Sequence, residues 1–480
     1  MKKEIKIIIL ILVLIATFLI VYSPHFKYRF PIHTDEWHAI TEAMKIERGE
    51  YKTFGKTGWN AVMGFEAGFQ IFLYAVSKFV NLVDYWKFFP ALWAVFSALT
   101  LFFVVYKKTK NNFMIAVFAV IFFASIKSNV NLGGLWFFIP ITFAIPFIFL
   151  YIYFFTEGME KKSKKMILIS IAFMIPLIFV HAVSVLFAVP FLIIYSLFHL
   201  SYLKKEYKFF LLFLIIPLAG FLFYAYMSHL ALTDAVVHLM RDLQFKKGWG
   251  VYEIKNSPLE VYSLAGYILA IFGAFSILFY RKEKPMIAYL FWPLTLVASI
   301  AIFRFTGISY LSPYQRNFYY LVISLPLLSA IGLNFILSKI KLEKKVSEDI
   351  VKILVIIFAI FFTFYSYYSI PKSVTLYYPI NEENYKALSF LFHMPPGKVL
   401  ANPYISEAIY PIAYKEPVAT LFFYGNQSIT RSFFSNKNCV KKQEILRKNN
   451  VSYVLSETPI NCPWEPIYSA KGNYIYSGQV

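Results

Sequence analysis

Side chains that can take up a proton or bind a metal ion crowd together early in the chain. His33, Asp35, Glu36 and His38 lie within six residues of one another. Carboxylates and imidazoles both bind divalent metals, but these four lack a fixed metal-ligand spacing. We therefore assign no metal ligand and leave a divalent metal open as a cofactor. Carboxylates in the first turn of a helix also complement its dipole and need no catalytic role.

The pattern around the acidic pair predicts a helix. Trp37, Ile40 and Met44 recur three and four residues apart, which predicts an apolar stripe on the membrane surface. Thr34 occupies the expected N-cap position, and Gly49 is expected to end the helix. A second amphipathic run follows and leads into the next apolar segment. The acidic pair is therefore expected close to the outer membrane surface.

The composition is that of a membrane protein. Of the 480 residues, 59% are hydrophobic and only 15% are charged, whereas a soluble domain is about half apolar and a quarter charged. The net charge of +21 lies mostly in short Lys and Arg clusters between long apolar runs, which is how membrane topology is encoded. A basic, aromatic-interleaved surface is missing from the sequence, so nucleic acid is not an expected partner.

Eleven apolar runs are candidates to cross the membrane, which takes about 20 residues. We predict spans near 5–22, 88–106, 113–126, 134–155, 166–180, 184–200, 209–228, 259–280, 286–303, 315–338 and 349–368. Lysine-rich connections fall at every second loop, which predicts a multi-pass cell-membrane protein with a cytoplasmic N-terminus and an extracytoplasmic C-terminus. No small-residue cleavage site follows the first run, so we expect a retained helix rather than a signal peptide.

Three predicted external segments are too long to be simple connections, and long loops are usually functional. They are 23–87, 229–258 and 371–480. The last contains strand-like stretches, among them 398–401 and 451–455. It also contains both cysteines, Cys439 and Cys462, which can form a disulfide outside the cytosol. The predicted fold is thus an all-α polytopic membrane domain, 1–370, of about 11 transmembrane helices, followed by a small α/β extracytoplasmic domain, 371–480.

The start of the chain resembles the GT-C glycosyltransferases, which include protein O-mannosyltransferases and the aminoarabinose transferase of lipid A. The resemblance rests on Thr34-Asp35-Glu36-Trp37, Ala43 and the Gly49-Glu50-Tyr51 turn. It covers about 1–106 by motif and continues to 370 by span count and loop placement. It implies a hexosyltransferase that uses a polyprenyl-phosphate sugar donor within membrane lipid and an extracytoplasmic acceptor, whether glycan, lipid or protein. The chain contains no Trp-Trp-Asp-Tyr-Gly run, which counts against an oligosaccharyltransferase.

The resemblance also implies roles for particular residues. It makes Asp35 the base of an inverting single displacement, with Glu36 in support. A lipid phosphate needs cationic groups, and the planar fork of arginine donates to two oxygens at once. Arg304 and Arg316 bracket an external loop, and Lys87 precedes a span, so these three are candidate donor-phosphate ligands. Interfacial anchoring is the alternative for such cations.

Three further residues are candidates for substrate binding. His181 lies between two short spans at the predicted outer surface, where an ionisable group is either functional or a structural hydrogen-bond donor. His238 and Arg241 share one helical face of 229–244 with Asp242. That face is either a substrate gate or a solvated surface.

Two other classes of protein fit part of the pattern. A secondary transporter usually shows paired repeats and ionisable residues in mid-membrane, whereas the predicted spans are nearly free of acids. A non-catalytic scaffold or polymer-assembly subunit would present the same external segments and would tolerate the loss of Asp35. The transferase is the favoured prediction.

Overall fold

The computed structural model describes residues 2–50, 53–54, 61–62, 66–130, 132–227, 231–242, 244–246, 258–279, 287–339, 348–368, 377–421 and 424–478. The chain divides into two compact units. The helical unit comprises Met1–Lys27 and Phe88–Thr375, and the mixed unit comprises Tyr28–Lys87 and Leu376–Val480. The predicted domain boundary at residue 370 lies outside the described residues and stays a prediction.

Helices dominate the described residues. In chain order they are α1 (Lys3–Tyr22), α2 (Thr34–Arg48), α3 (Ala67–Ser77), α4 (Leu82–Tyr85), α5 (Phe89–Lys108), α6 (Phe113–Ala124), α7 (Pro140–Glu160), α8 (Lys164–His181), α9 (Val183–Leu186), α10 (Val189–Leu197), α11 (Leu200–Lys205), α12 (Tyr207–Phe210), α13 (Leu212–Met227), α14 (Leu232–Asp242), α15 (Leu264–Phe279), α16 (Ile287–Thr306), α17 (Tyr314–Lys339), α18 (Glu348–Tyr368), α19 (Glu382–Phe392), α20 (Pro403–Ser406), α21 (Ile409–Ala413), α22 (Gln427–Ser435) and α23 (Cys439–Lys448). Short 3-10 turns cover Ser23–Phe26, Trp86–Phe88 and Pro258–Glu260.

The strands in the described residues are short. They are β1 (Thr53–Phe54), β2 (Ala61–Val62), β3 (Gln244–Lys246), β4 (Ile308–Tyr310), β5 (Lys398–Leu400), β6 (Glu416–Pro417), β7 (Val451–Ser456), β8 (Pro466–Ala470) and β9 (Asn473–Ser477). The predicted strand-like stretches 398–401 and 451–455 coincide with β5 and β7, which confirms them.

Each predicted span overlaps helix in the described residues, and six helices there are long and apolar enough to cross a membrane. These six are Lys3–Phe26, Leu82–Lys108, Pro140–Glu160, Lys164–His181, Ile287–Thr306 and Tyr314–Lys339. The chain is therefore a multi-pass membrane protein. The other predicted spans overlap helices that are not among these six, so the count of eleven stays a prediction.

Helix α17 packs against α15, α6 and α16 in the helical unit. A methyl group at Gly273 of α15 would lie 1.9 Å from the carbonyl oxygen of Leu328, and one at Gly332 of α17 would lie 1.9 Å from that of Leu269. The two helices thus approach backbone to backbone, as small residues allow in membrane bundles.

The mixed unit contains a five-stranded sheet of order β6-β5-β7-β9-β8. Strand β5 runs parallel to β6 and β7, whereas β9 runs antiparallel to β7 and β8. Apolar side chains from the sheet and from α22 and α23, among them Leu400, Phe433 and Leu446, form its core. Cys439 and Cys462 form a disulfide, which confirms the pairing expected from the sequence.

Candidate functional site

The first turn of α2 holds the acidic pair, and the structure corrects its predicted start. His33, not Thr34, is the N-cap, because its Nδ1 accepts a hydrogen bond from the Asp35 N–H at 3.1 Å. Thr34 is instead the first helical residue. Gly49 ends α2 in the left-handed region at φ +65°, as predicted, since glycine adopts that conformation without strain.

Glu36 is held by three hydrogen bonds in the interior of the mixed unit, where its exposed fraction is 0%. Its Oε2 accepts from the backbone N–H groups of Ile32 and His33 at 2.9 and 3.0 Å. Its Oε1 accepts from Nε1 of Trp86 at 2.8 Å. A buried carboxylate in this position closes a capping box and ties the start of α2 to the turn after α4.

Asp35 is the accessible carboxylate of the pair, with 35% of its side chain exposed. Its Oδ1 lies 3.6 Å from Nδ1 of His33. Because that nitrogen accepts the Asp35 N–H, it carries no proton in this arrangement, and the contact is not an ion pair. The two adjacent acids therefore have different surroundings, and Asp35 is the one that a substrate can reach.

The apolar stripe of α2 does not lie on the membrane surface, so that part of the prediction is wrong. Trp37 and Ile40 are fully buried, and Met44 is only 8% exposed. Helix α2 packs instead on α3 and α21, and Trp37 donates its Nε1–H to the Pro31 carbonyl at 3.1 Å.

A buried polar cluster on α2 escaped the sequence analysis. The Nζ of Lys45 lies 3.1 Å from Oε1 of Glu42 and 3.0 Å from the Tyr424 hydroxyl, which donates a hydrogen bond to the same carboxylate. The His38 ring lies 5.5 Å from that of Tyr424, and burial lowers the pKa of His38. In the sequence, only the spacing of Glu42 and Lys45 by three residues indicates this cluster, because side chains three residues apart on a helix are neighbours.

Arg316 is the third residue of α17 in the helical unit and is half-buried. Its Nη1 donates to the Leu132 carbonyl at 3.1 Å, which fixes the guanidinium against the segment before α7. Arg304 lies near the end of α16, exposed, with its guanidinium 5.1 Å from the centre of the Tyr314 ring. The two arginines flank β4, which pairs antiparallel with β3 of the second predicted external segment.

His181 ends α8 in a buried hydrogen-bonded triangle. Its Nδ1 lies 2.8 Å from the Ser184 hydroxyl and 3.1 Å from the Tyr320 hydroxyl, which are 2.9 Å apart. The Phe187 ring stacks on Tyr320 at 3.9 Å. This geometry fits a histidine that forms structural hydrogen bonds, which was the alternative to a functional group. The substrate-binding role of His181 stays a prediction.

The structure gives less information about Lys87, His238 and Arg241. Lys87 is half-buried in the 3-10 turn that ends the first part of the mixed unit. His238 and Arg241 lie on α14, but their side chains are outside the described residues. Within the described ranges, no group of three or more His, Cys, Asp or Glu side chains is placed to hold a metal ion.

Comparison with known proteins depends on structure, because no family model and no curated protein matches the chain. The apo oligosaccharyltransferase of Archaeoglobus fulgidus aligns over 95% of this chain and 70% of its own, at 13% identity and a TM-score of 0.63. The same organism's AglB, in complex with an inhibitory peptide and a dolichol-phosphate, gives 0.61 at 13% identity over the same shares. ArnT from Cupriavidus metallidurans, in the apo state, covers 98% of this chain and 97% of its own, at 10% identity and a TM-score of 0.55.

These neighbours are GT-C superfamily members. The chain has the GT-C fold. This confirms, for the fold, the resemblance inferred from the acidic pair. At identities of 10–14%, structural similarity shows a shared fold and not a shared activity.

Proposed function

We propose that this protein is an integral membrane glycosyltransferase that moves a sugar from a polyprenyl-phosphate donor to an extracytoplasmic acceptor. One observation carries the proposal beyond the fold. In the first turn of α2, Glu36 is committed to three structural hydrogen bonds, whereas its neighbour Asp35 is 35% exposed. A general base must reach the proton that it removes, and Asp35 is the acid of the pair that can do so.

The proposed reaction is a single inverting displacement. The Asp35 carboxylate takes the proton from an acceptor hydroxyl, and the hydroxyl oxygen forms a bond to the anomeric carbon of the sugar. The bond from that carbon to the phosphate oxygen breaks, and its electron pair leaves with the polyprenyl phosphate. Inversion follows from attack opposite the leaving group, and no covalent sugar–protein intermediate forms.

Donor recognition is proposed for cations of the external loops. Arg316 offers a planar guanidinium whose orientation Leu132 fixes, and preorganised donors stabilise developing phosphate charge better than mobile ones. Arg304 and Lys87 are supporting candidates, and His181, His238 and Arg241 are candidates for contacts to the sugar. The dolichol-phosphate in the AglB complex supports a lipid phosphate as the ligand class.

The test is a transfer assay on purified protein in lipid nanodiscs. Polyprenyl phosphates that carry mannose, glucose or aminoarabinose are supplied one at a time with mixed acceptors, and release of the polyprenyl phosphate is measured. Release that depends on one donor and on Asp35 is the expected result. A folded protein that neither binds nor turns over any lipid-linked sugar would contradict the proposal.

A further inference from the structure

A cleft of about 510 Å³ opens in the mixed unit at the C-terminal end of α2. Its volume lies within the ~300–1,000 Å³ typical of ligand sites. The wall comes from α2, the turn between α3 and α4, α19 and α21, and includes Glu47, Ser77, Tyr385, Ser389, Phe392 and Tyr414. The cleft lies apart from Asp35, because the twelve residues from Asp35 to Glu47 span roughly 18 Å of helix.

Tyr414 has a strained backbone at the edge of this cleft. It follows α21 in the left-handed region, at φ 52° and ψ 34°, where helices usually place glycine. That conformation is disfavoured for a residue with a Cβ, because the Cβ crowds the following carbonyl oxygen. The residue is nevertheless 37% exposed, and its ring lies 5.6 Å from the ring of Phe392. Because strained residues cluster at functional sites, Tyr414 is a candidate for a ligand contact.

The polar residues that line the cleft carry hydroxyls, the carboxylate of Glu47 and the side chains of Asn81 and His393. The Ser77 and Ser389 hydroxyls donate to carbonyls of their own helices, at 2.7 and 2.8 Å, so their lone pairs are left to accept hydrogen bonds from a ligand. The Glu47 carboxylate pairs with Lys78 at 2.9 Å and adds acceptors with little net charge. Aromatic faces beside such acceptors match the C–H faces and hydroxyl edges of uncharged sugars.

We propose that this cleft binds an uncharged oligosaccharide segment of the acceptor, several sugar units away from the hydroxyl that reacts. The inference rests on the proposed function and names its acceptor class. Contacts to a remote part of a substrate hold the reacting group in place and raise the efficiency of long substrates over short ones. Phe392 and Tyr414 supply the aromatic surface, and the Arg48 guanidinium lies 4.8 Å from the centre of the Tyr414 ring.

The test compares Tyr414→Gly with Phe434→Ala, a change at an exposed phenylalanine of α22 outside the cleft. Tyr414→Gly removes the ring and the backbone strain together, so thermal stability is expected to be kept. Binding of neutral glucose and mannose oligosaccharides of increasing length to the full chain is measured by saturation-transfer NMR. Affinity is expected to fall about tenfold in Tyr414→Gly, and to be kept in Phe434→Ala and in Asp35→Asn.

Transfer kinetics separate this inference from the proposed function. In Tyr414→Gly, KM is expected to rise for long acceptors and to stay unchanged for single-sugar acceptors. Oligosaccharide binding that depends on Tyr414, without any transfer by the protein, would contradict the proposed function alone. Transfer with unchanged KM in Tyr414→Gly, or a cleft that binds short peptides in preference to glycans, would overturn the glycan site alone.

Discussion

The indole Nε1 of Trp86 donates to Oε1 of Glu36 at 2.8 Å, although 50 residues separate the two in sequence. Both side chains have an exposed fraction of 0%. Glu36 therefore serves as a buried connector between the start of α2 and the turn after α4. Because of this bond, substituting Glu36 is expected to affect stability, whereas substituting Asp35 is expected to affect turnover. The two substitutions can therefore show which acid of the pair is catalytic.

Asp35→Asn is expected to lower turnover by about 10²-fold or more, the usual contribution of a positioned proton acceptor. The amide keeps the shape of the side chain and removes its basicity, so donor affinity and thermal stability should change little. Lipid-linked sugar transfer and donor binding are measured on the same preparation. A fully active Asp35→Asn protein would mean that the acid only complements the helix dipole, worth about 0.3–1 kcal/mol.

Glu36→Gln is expected to act on stability first. The amide nitrogen would face either backbone N–H groups or the Trp86 indole, and a buried donor left without an acceptor costs about 1–3 kcal/mol. Thermal unfolding of the purified protein measures the loss. Glu444→Gln, at an exposed position of α23, is the matched control and should change stability by less than ~0.5 kcal/mol. A stable but inactive Glu36→Gln protein, together with an active Asp35→Asn protein, would instead make Glu36 the base.

The helices of the membrane part could be predicted because apolar runs and lysine clusters are local signals. The first turn of α2 was misplaced by one residue because an imidazole nitrogen of His33 took the capping role usually held by Ser, Thr, Asp or Asn. The period of Trp37 and Ile40 predicted an apolar face of α2, but the expected membrane surface is not what covers it. That cover is supplied by distant segments, and Tyr424 reaches Glu42 across 382 residues, which no local pattern encodes.

Arg316→Lys is expected to weaken donor affinity about tenfold, since an ammonium keeps the charge but loses the two-pronged geometry. Arg316→Ala should weaken it further. Arg447→Ala, at an exposed position of α23, controls for the loss of a positive charge. Donor affinity is measured by titrating lipid-linked sugar into protein in nanodiscs, with extracted yield as the check on folding. An unchanged affinity in Arg316→Ala would remove this residue from the donor site.

The predicted orientation places the disulfide outside the cytoplasm. After mild reduction of intact cells, an impermeant thiol reagent should label Cys439 and Cys462. The control is Lys205→Cys at the exposed end of α11, with both native cysteines replaced by serine. That thiol should react only in broken membranes, because its lysine-rich loop is predicted to be cytoplasmic. The reverse pattern would show that the orientation is inverted.

Acidification is expected to destabilise α2 through His38. Burial holds the pKa of the folded-state imidazole below its ordinary value of 6.5, although Glu42 and Asp35 oppose the shift. The unfolded chain therefore takes up a proton at a pH where the folded chain does not, and stability falls as the pH drops below about 6.5, by up to ~1.4 kcal/mol per pH unit. The opening free energy of α2 is measured by hydrogen exchange between about pH 7.5 and pH 5.5, corrected for intrinsic rates. His38→Gln should flatten the dependence, and an equally steep profile in that variant would assign the effect to another group.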